Sequence, residues 1–385
     1  MRFIDDFRNE ELVATLALAI KHTMSKPWRI MEVCGGQTHT IVKHGLDQLL
    51  PYGLELVHGP GCPVCVTPAE KIDAAIKATS VHGAILCTFG DMMRVPGNTQ
   101  DLLTAKAHGA DVRTIYSPLE ALSIARDNPS REVVFFAVGF ETTAPANAMT
   151  VYRAKSEGLR NFSIISALVL VPPILRTLLD TARCDRVDAG SDNGVDGVLA
   201  AGHVCAVMGL REYHRLAESL RLPIVITGFE PVDILQGIFM CVQQLEAHQY
   251  RVENQYSRVV SAHGNTIAQR IVAEVFAATE AGWRDLGRVA ASGLSLRDGY
   301  LDYDAELKLQ LTADSLWSSH QRGLCRASAV LTGHIKPPQC SAFAKECTPM
   351  RPLGAPMVSS EGACAAYFNY RGGQVDGASQ LSDLS

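Results

Sequence analysis

The chain has 385 residues, 47% of them apolar and 19% charged, enough apolar surface for large cores and too much for broad disorder. Its 35 Lys and Arg against 40 Asp and Glu leave a net charge of −5, without the positive excess that nucleic-acid or anionic-membrane partners require. At about 150 residues per domain, the length corresponds to two or three domains.

The N-terminus is acidic where a signal peptide is basic, and the apolar run at 12–20 is short. An amphipathic helix over 6–22 is the first predicted element, and secretion is not expected. Short runs rich in Val, Ile and Leu then predict strands at 29–33, 54–57, 84–88, 112–116, 133–138, 163–170, 197–200 and 224–227. Helical patterns at 68–80, 102–108, 119–127 and 146–157 fall between them. This alternation is the signature of α/β architecture with parallel sheets. The apolar stretch 162–175 is broken by Pro172 and Pro173 and is too short to span a membrane. A weak internal echo, Gly139-Phe140-Glu141 and Gly228-Phe229-Glu230, each at a predicted strand end, suggests two α/β halves.

Beyond Pro231 strand signals cease. Helices over 232–248 and 266–281 are expected to lead into a loop-rich, cysteine-bearing region, and 373–385 reads as a frayed tail. The expected division is therefore a first α/β domain at 26–140, a second at 141–237, a mainly helical third formed by 1–25 with 238–372, and the tail. Eleven cysteines, in a chain without a targeting signal, are expected to be core residues, metal ligands or redox thiols of a cytoplasmic protein.

Several cysteines follow strands or crowd into loops. Cys325, Cys340, Cys347 and Cys364, among prolines and glycines, lack the tight hairpin usual in structural zinc sites. Four thiols with wide spacing suit an iron–sulfur cluster; zinc, or four unrelated core thiols, are the alternatives. Gly59-Pro-Gly-Cys62-Pro-Val-Cys65 sets a C-x-x-C pair at a strand end before a helix, a placement that lowers a thiol pKa. Such a pair reads as a reactive dithiol, half a zinc site or two buried cysteines. Cys34-Gly-Gly-Gln-Thr-His39 places another thiol at a strand end, with glycines that let a bound group approach the backbone. Cys34 is thus a soft-metal ligand or an inert core thiol. His39 alone reads more readily as a structural hydrogen-bonding residue. Asp91 and Glu141, at neighbouring strand ends, are either caps or groups that orient ligands and carry protons. Cys87, Cys184, Cys205 and Cys241 read as core or incidental. No phosphate-binding glycine motif and no serine-hydrolase elbow is present in the sequence.

Taken together and in order, Cys34-Gly-Gly-Gln-Thr-His39, Gly59-Pro-Gly-Cys-Pro-Val-Cys65, Thr88-Phe-Gly-Asp-Met-Met-Arg-Val-Pro-Gly97, Gly139-Phe-Glu-Thr-Thr143 and the four C-terminal cysteines resemble the HypD family of hydrogenase maturation factors. The resemblance spans residues 29–364. It implies a scaffold for assembling the Fe(CN)2(CO) unit of [NiFe]-hydrogenases, with two Rossmann-like domains around a cleft and a [4Fe-4S] cluster in the third. It implies that Cys34 binds the nascent iron, that Cys62 and Cys65 form a redox-active pair, and that Cys325, Cys340, Cys347 and Cys364 hold the cluster. His39, Asp91 and Glu141 join the expected site. The implied partners are a HypC-type small chaperone and a HypE-type cyanide donor. Many members carry His where this chain has Gln37, which retains a hydrogen-bond donor but no imidazole. The competing readings are an Fe–S-dependent thiol-disulfide oxidoreductase, which leaves Cys34 unexplained, and a zinc-stabilised binding module.

Overall fold

The computed structural model of the chain describes residues 5–189, 194–311 and 323–372. The apolar runs form two parallel sheets. One contains β1 (Trp28–Glu32), β2 (Leu54–His58), β7 (Gly197–Ala201), β8 (Ile224–Thr227) and β9 (Val252–Asn254), in the order β2-β1-β7-β8-β9. The other contains β3 (Ile85–Thr88), β4 (Val112–Thr114), β5 (Val133–Gly139) and β6 (Phe162–Leu168), in the order β4-β3-β5-β6. All eight strands expected from the sequence are present within a few residues.

Both sheets are buried on both faces, as parallel sheets with crossover helices are. In the first, Ile30, Leu56, Leu199 and Val225 pack on one side and Met31, Val57, Val198 and Ile226 on the other. In the second, Ile85, Val133, Phe135 and Ile164 alternate with Leu86, Val134, Phe136 and Ile165. The helices cover these faces. Asn9 caps the opening helix Glu10–Thr23 by accepting from the Leu12 amide, and that helix packs on Pro231–Glu246.

The expected contiguous division does not match the sheets. β1, which also carries β2, pairs outside the segment 26–140 with β7, while β5, which carries β3 and β4, pairs with β6. Each sheet grows outward from a central pair, so the chain completes the second sheet before returning to finish the first. The region beyond Pro231 also holds more strand than expected. Helix Thr266–Val275 stops where the sequence suggested 281, and the chain continues as an antiparallel hairpin of β10 (Phe276–Trp283) and β11 (Gly287–Leu296). Over 277–281 half-buried residues alternate with exposed ones, and that period of two overrides the helical pattern. The hairpin lies on β6, where Ser166 donates to the Leu294 carbonyl and the Leu170 amide to that of Ser292. The expected tail at 373–385 falls outside the described residues, as does the side chain of Cys184. No helix among the described residues is long and apolar enough to cross a membrane.

Trp283, at the hairpin's end, stacks on Phe140 and donates to Ser292, and the following amide of Arg284 bonds the Val66 carbonyl beside Cys65. Trp283→Ala should cost about 3–5 kcal/mol, as for other large buried aromatics. It should lower the thermal midpoint and speed reduction of the neighbouring Cys62–Cys65 bond, read by calorimetry and timed thiol trapping.

Candidate functional site

Each sheet has one place where neighbouring strands send their chains in opposite directions, and there the carboxyl ends open a crevice. In the first sheet that place lies between β1 and β7. Two residues past the end of β1 lies Cys34 and two past the end of β7 lies His203, and Cys34 Sγ stands 3.7 Å from His203 Nδ1. In the second sheet it lies between β3 and β5, which lead to Asp91 and Glu141. The candidate residues thus come from two sheets rather than one. Glu361 lies within electrostatic reach of both Cys34 and Asp91, so the two crevices adjoin.

Cys34 begins helix Gly35–Lys43 and is only 2% exposed. Burial pushes its thiol up to about 12, and the nearby carboxylates of Glu32 and Glu361 add to this; the amides of Gln37 and Gly36, bonded to the sulfur, act against it. The free thiol therefore keeps its proton at neutral pH. Burial also drives His203 down to about 4, leaving a neutral imidazole beside the sulfur, packed on Phe229. The sequence reading passed over His203, since a single histidine after a strand has no distinguishing spacing. Its signal is its position, three residues beyond the predicted strand 197–200, much as Cys34 directly follows the predicted strand 29–33.

A second group supports the Cys34 turn from below. Glu32 is fully buried; its carboxylate accepts from the Cys34 amide at 2.9 Å and from the Thr38 hydroxyl, and lies 2.6 Å from His58 Nδ1. Gln37 donates to Thr227 Oγ1 at 2.6 Å and to the Ala200 carbonyl at 3.2 Å, tying the turn to β7 and β8. His39 faces away from this group, with Nε2 3.2 Å from the Tyr370 hydroxyl on helix Ala363–Arg371.

Cys62 and Cys65 are joined by a disulfide across the one-turn helix Pro63–Val66, and both are buried. Their loop is pressed against the Cys34 turn. The Gly35 amide bonds the Gly61 carbonyl at 2.9 Å, and a Cβ on Gly61 would overlap the Cys34 backbone nitrogen. On its other side Gly35 abuts Glu361, where a Cβ would meet the glutamate directly.

Cys325, Cys340, Cys347 and Cys364 line one small cavity with Phe343, Leu353, Pro356 and Met357. Burial raises Cys364 well above the usual thiol range, the other three sulfurs adding to the shift, and raises Cys325 to about 11. Backbone amides are already directed at sulfur, Leu353 to Cys347 at 3.4 Å and Ala327 to Cys325. No three His, Cys, Asp or Glu side chains among the described residues are arranged around a single-ion position. The segment Ala355–Met357 beside the cavity packs against Pro63–Val66. Residues 355–364 therefore touch all three cysteine sites.

Asp91 lies on the turn Gly90–Arg94, exposed, within electrostatic reach of Glu361, whose carboxyl is raised first by burial and then by Asp91. Glu141 is buried. Its Oε1 accepts from the Val171 amide at 2.9 Å and its Oε2 has no hydrogen-bond partner; desolvation lifts the carboxyl to about 7. Cys87, Cys205 and Cys241 are buried in the cores.

A family model described as "HypD: Hydrogenase formation hypA family" matches residues 11–371. The chain is 46% identical over 379 residues to the hydrogenase maturation factor HypD of Escherichia coli, covering 96% of this chain and 98% of that one. It is 45% identical over 384 residues to HypD of Rhodobacter capsulatus, with 97% and 100% covered. Against HypD of Azotobacter vinelandii the identity is 42% over 374 residues, with 96% and 97% covered.

The Glu141 carboxyl yields a pH prediction. The native state retains a proton there that the unfolded chain releases near pH 4.5, so stability falls as pH rises from that value to about 7 and then levels off. Glu141→Gln, which can still accept from Val171, should remove this slope. Its stability relative to the parent should improve by up to about 3 kcal/mol between pH 5 and 8, read from urea denaturation at the two pH values.

Proposed function

The chain belongs to the HypD family of hydrogenase maturation factors, and from that premise we propose that it is a cytoplasmic scaffold on which the Fe(CN)2(CO) unit of [NiFe]-hydrogenases is assembled. The observation that carries this reading is the meeting of three cysteine sites along one segment, with Cys34 at the crevice, the Cys62–Cys65 pair behind it and four thiols around a cavity on the far side.

Cys34 is the ligand for the iron substrate. A buried thiol binds a soft cation by exchanging its proton for it. His203, neutral and 3.7 Å away, is placed to accept a hydrogen bond from the thiol. Phe140 and Phe229 keep the surroundings apolar, while Glu141 holds a proton close to neutral pH. Asp91 and Glu361 bring acidic groups to the rim, and His39, bonded to Tyr370, docks the C-terminal helix. The thiol chemistry of Cys325, Cys340, Cys347 and Cys364, their shared cavity and the amides aimed at their sulfurs fit a [4Fe-4S] cluster, which supplies one-electron redox chemistry when bound. Cys62 and Cys65 store two electrons: opening their bond consumes two electrons and two protons and yields two thiols. Their place between the cavity and Cys34 suits redox service to the bound iron. A HypC-type small chaperone and a HypE-type cyanide donor are the proposed partners, receiving and supplying parts of the unit.

Anaerobically prepared protein should contain about four iron and four acid-labile sulfide per chain, and Cys364→Ser should lose both. Zinc without sulfide would favour a structural metal module. Cys34→Ala should keep the cluster absorption yet remove the infrared bands of iron-bound cyanide and CO from protein purified with its partners. Bands at full intensity would place the iron elsewhere. A wild-type protein that holds the cluster and cycles its disulfide without ever showing such bands would favour the thiol-disulfide oxidoreductase.

A further inference from the structure

The fold contains a buried polar chain that neither the motifs nor the proposed chemistry uses. It starts at the Cys34 amide, bonded to Glu32, passes from Glu32 to His58 Nδ1 at 2.6 Å, and ends with His58 Nε2 3.2 Å from the Tyr367 hydroxyl. Facing a carboxylate, Nδ1 is the donor, so in the neutral ring Nε2 accepts from tyrosine. All three side chains are buried, and the two rings meet edge to face. Tyr367 stands three residues after Cys364 on helix Ala363–Arg371, one turn further along. That helix packs on Gly35–Lys43, the helix that Cys34 begins.

We propose that Tyr367, His58 and Glu32 are positioning residues that hold the Cys34 turn in register with the helix carrying Cys364. Buried hydrogen bonds are directional, and an unsatisfied buried partner is costly, so the chain specifies one pose of the turn more sharply than apolar contact does. Movement of the Cys364 helix reaches Cys34 through two side chains and one amide. The proposal concerns Cys34 whatever it binds, and the measurement reads that thiol directly, so it stands or falls independently of the iron-scaffold reading.

The experiment is timed alkylation of the full-length protein by iodoacetamide, with each cysteine quantified by peptide mass spectrometry. Cys34 reacts only when its turn opens. Tyr367→Phe deletes one hydroxyl and should raise the Cys34 rate about fivefold, the factor set by the net contribution of one hydrogen bond. Cys87 and Cys241, both fully buried in clusters that contain neither Cys34 nor Tyr367, should react at the parental rate. Tyr370→Phe removes a second Tyr–His bond of the same helix, to His39 on Gly35–Lys43, and should leave Cys34 unchanged. An unchanged Cys34 rate in Tyr367→Phe overturns the proposal. So does equal acceleration of all three buried thiols, which marks general loosening, or an equal effect of Tyr370→Phe, which marks simple helix docking.

Discussion

The Glu32 carboxylate has no access to solvent and is surrounded by the Cys34 amide, the Thr38 hydroxyl and the His58 ring. A buried carboxylate is tolerated only when such partners replace its lost water, and removing one of them leaves an uncompensated charge. That requirement fixes where the ends of β1 and β2 stand relative to each other and to helix Gly35–Lys43. Through His58 and Tyr367 it also fixes the C-terminal helix. The cysteine sites inherit their relative positions from this arrangement.

Close approach of backbones does the rest. With no Cβ at Gly61 or Gly35, the disulfide loop can lie on one side of the Cys34 turn and Glu361 on the other. Three thiol environments thereby sit within one compact region, although residues 34 and 364 come from opposite ends of the chain. The environments differ chemically. Cys34 is a lone, deeply desolvated thiol beside a neutral imidazole, Cys62 and Cys65 are bonded to each other, and the remaining four share an apolar cavity furnished with amide donors.

The strands were legible because runs such as 133–138 are apolar on both faces, which only a covered parallel sheet explains. The candidate thiols were legible because strand ends in such sheets face the ligand crevice. Two things were not. The pairing of β1 with β7, some 165 residues apart, leaves no local trace, since both strands would suit either sheet. The hairpin of β10 and β11 was masked by its helical neighbour, its alternation beginning only at Ala277.

Local chemistry, namely residue type, periodicity and turn composition, lies within a few positions of each residue, and the sequence alone therefore determined the α/β class and the eight principal strands and singled out ten residues as candidates for the site. Which sheet each strand joins depends on long-range packing of two chemically similar surfaces, and only the tertiary structure decided it. The same holds for His203 beside Cys34 and for the Glu32–His58–Tyr367 chain. Their partners are 169, 26 and 309 residues apart in sequence, so no spacing rule connects them, and burial in a shared interior is what makes each contact consequential.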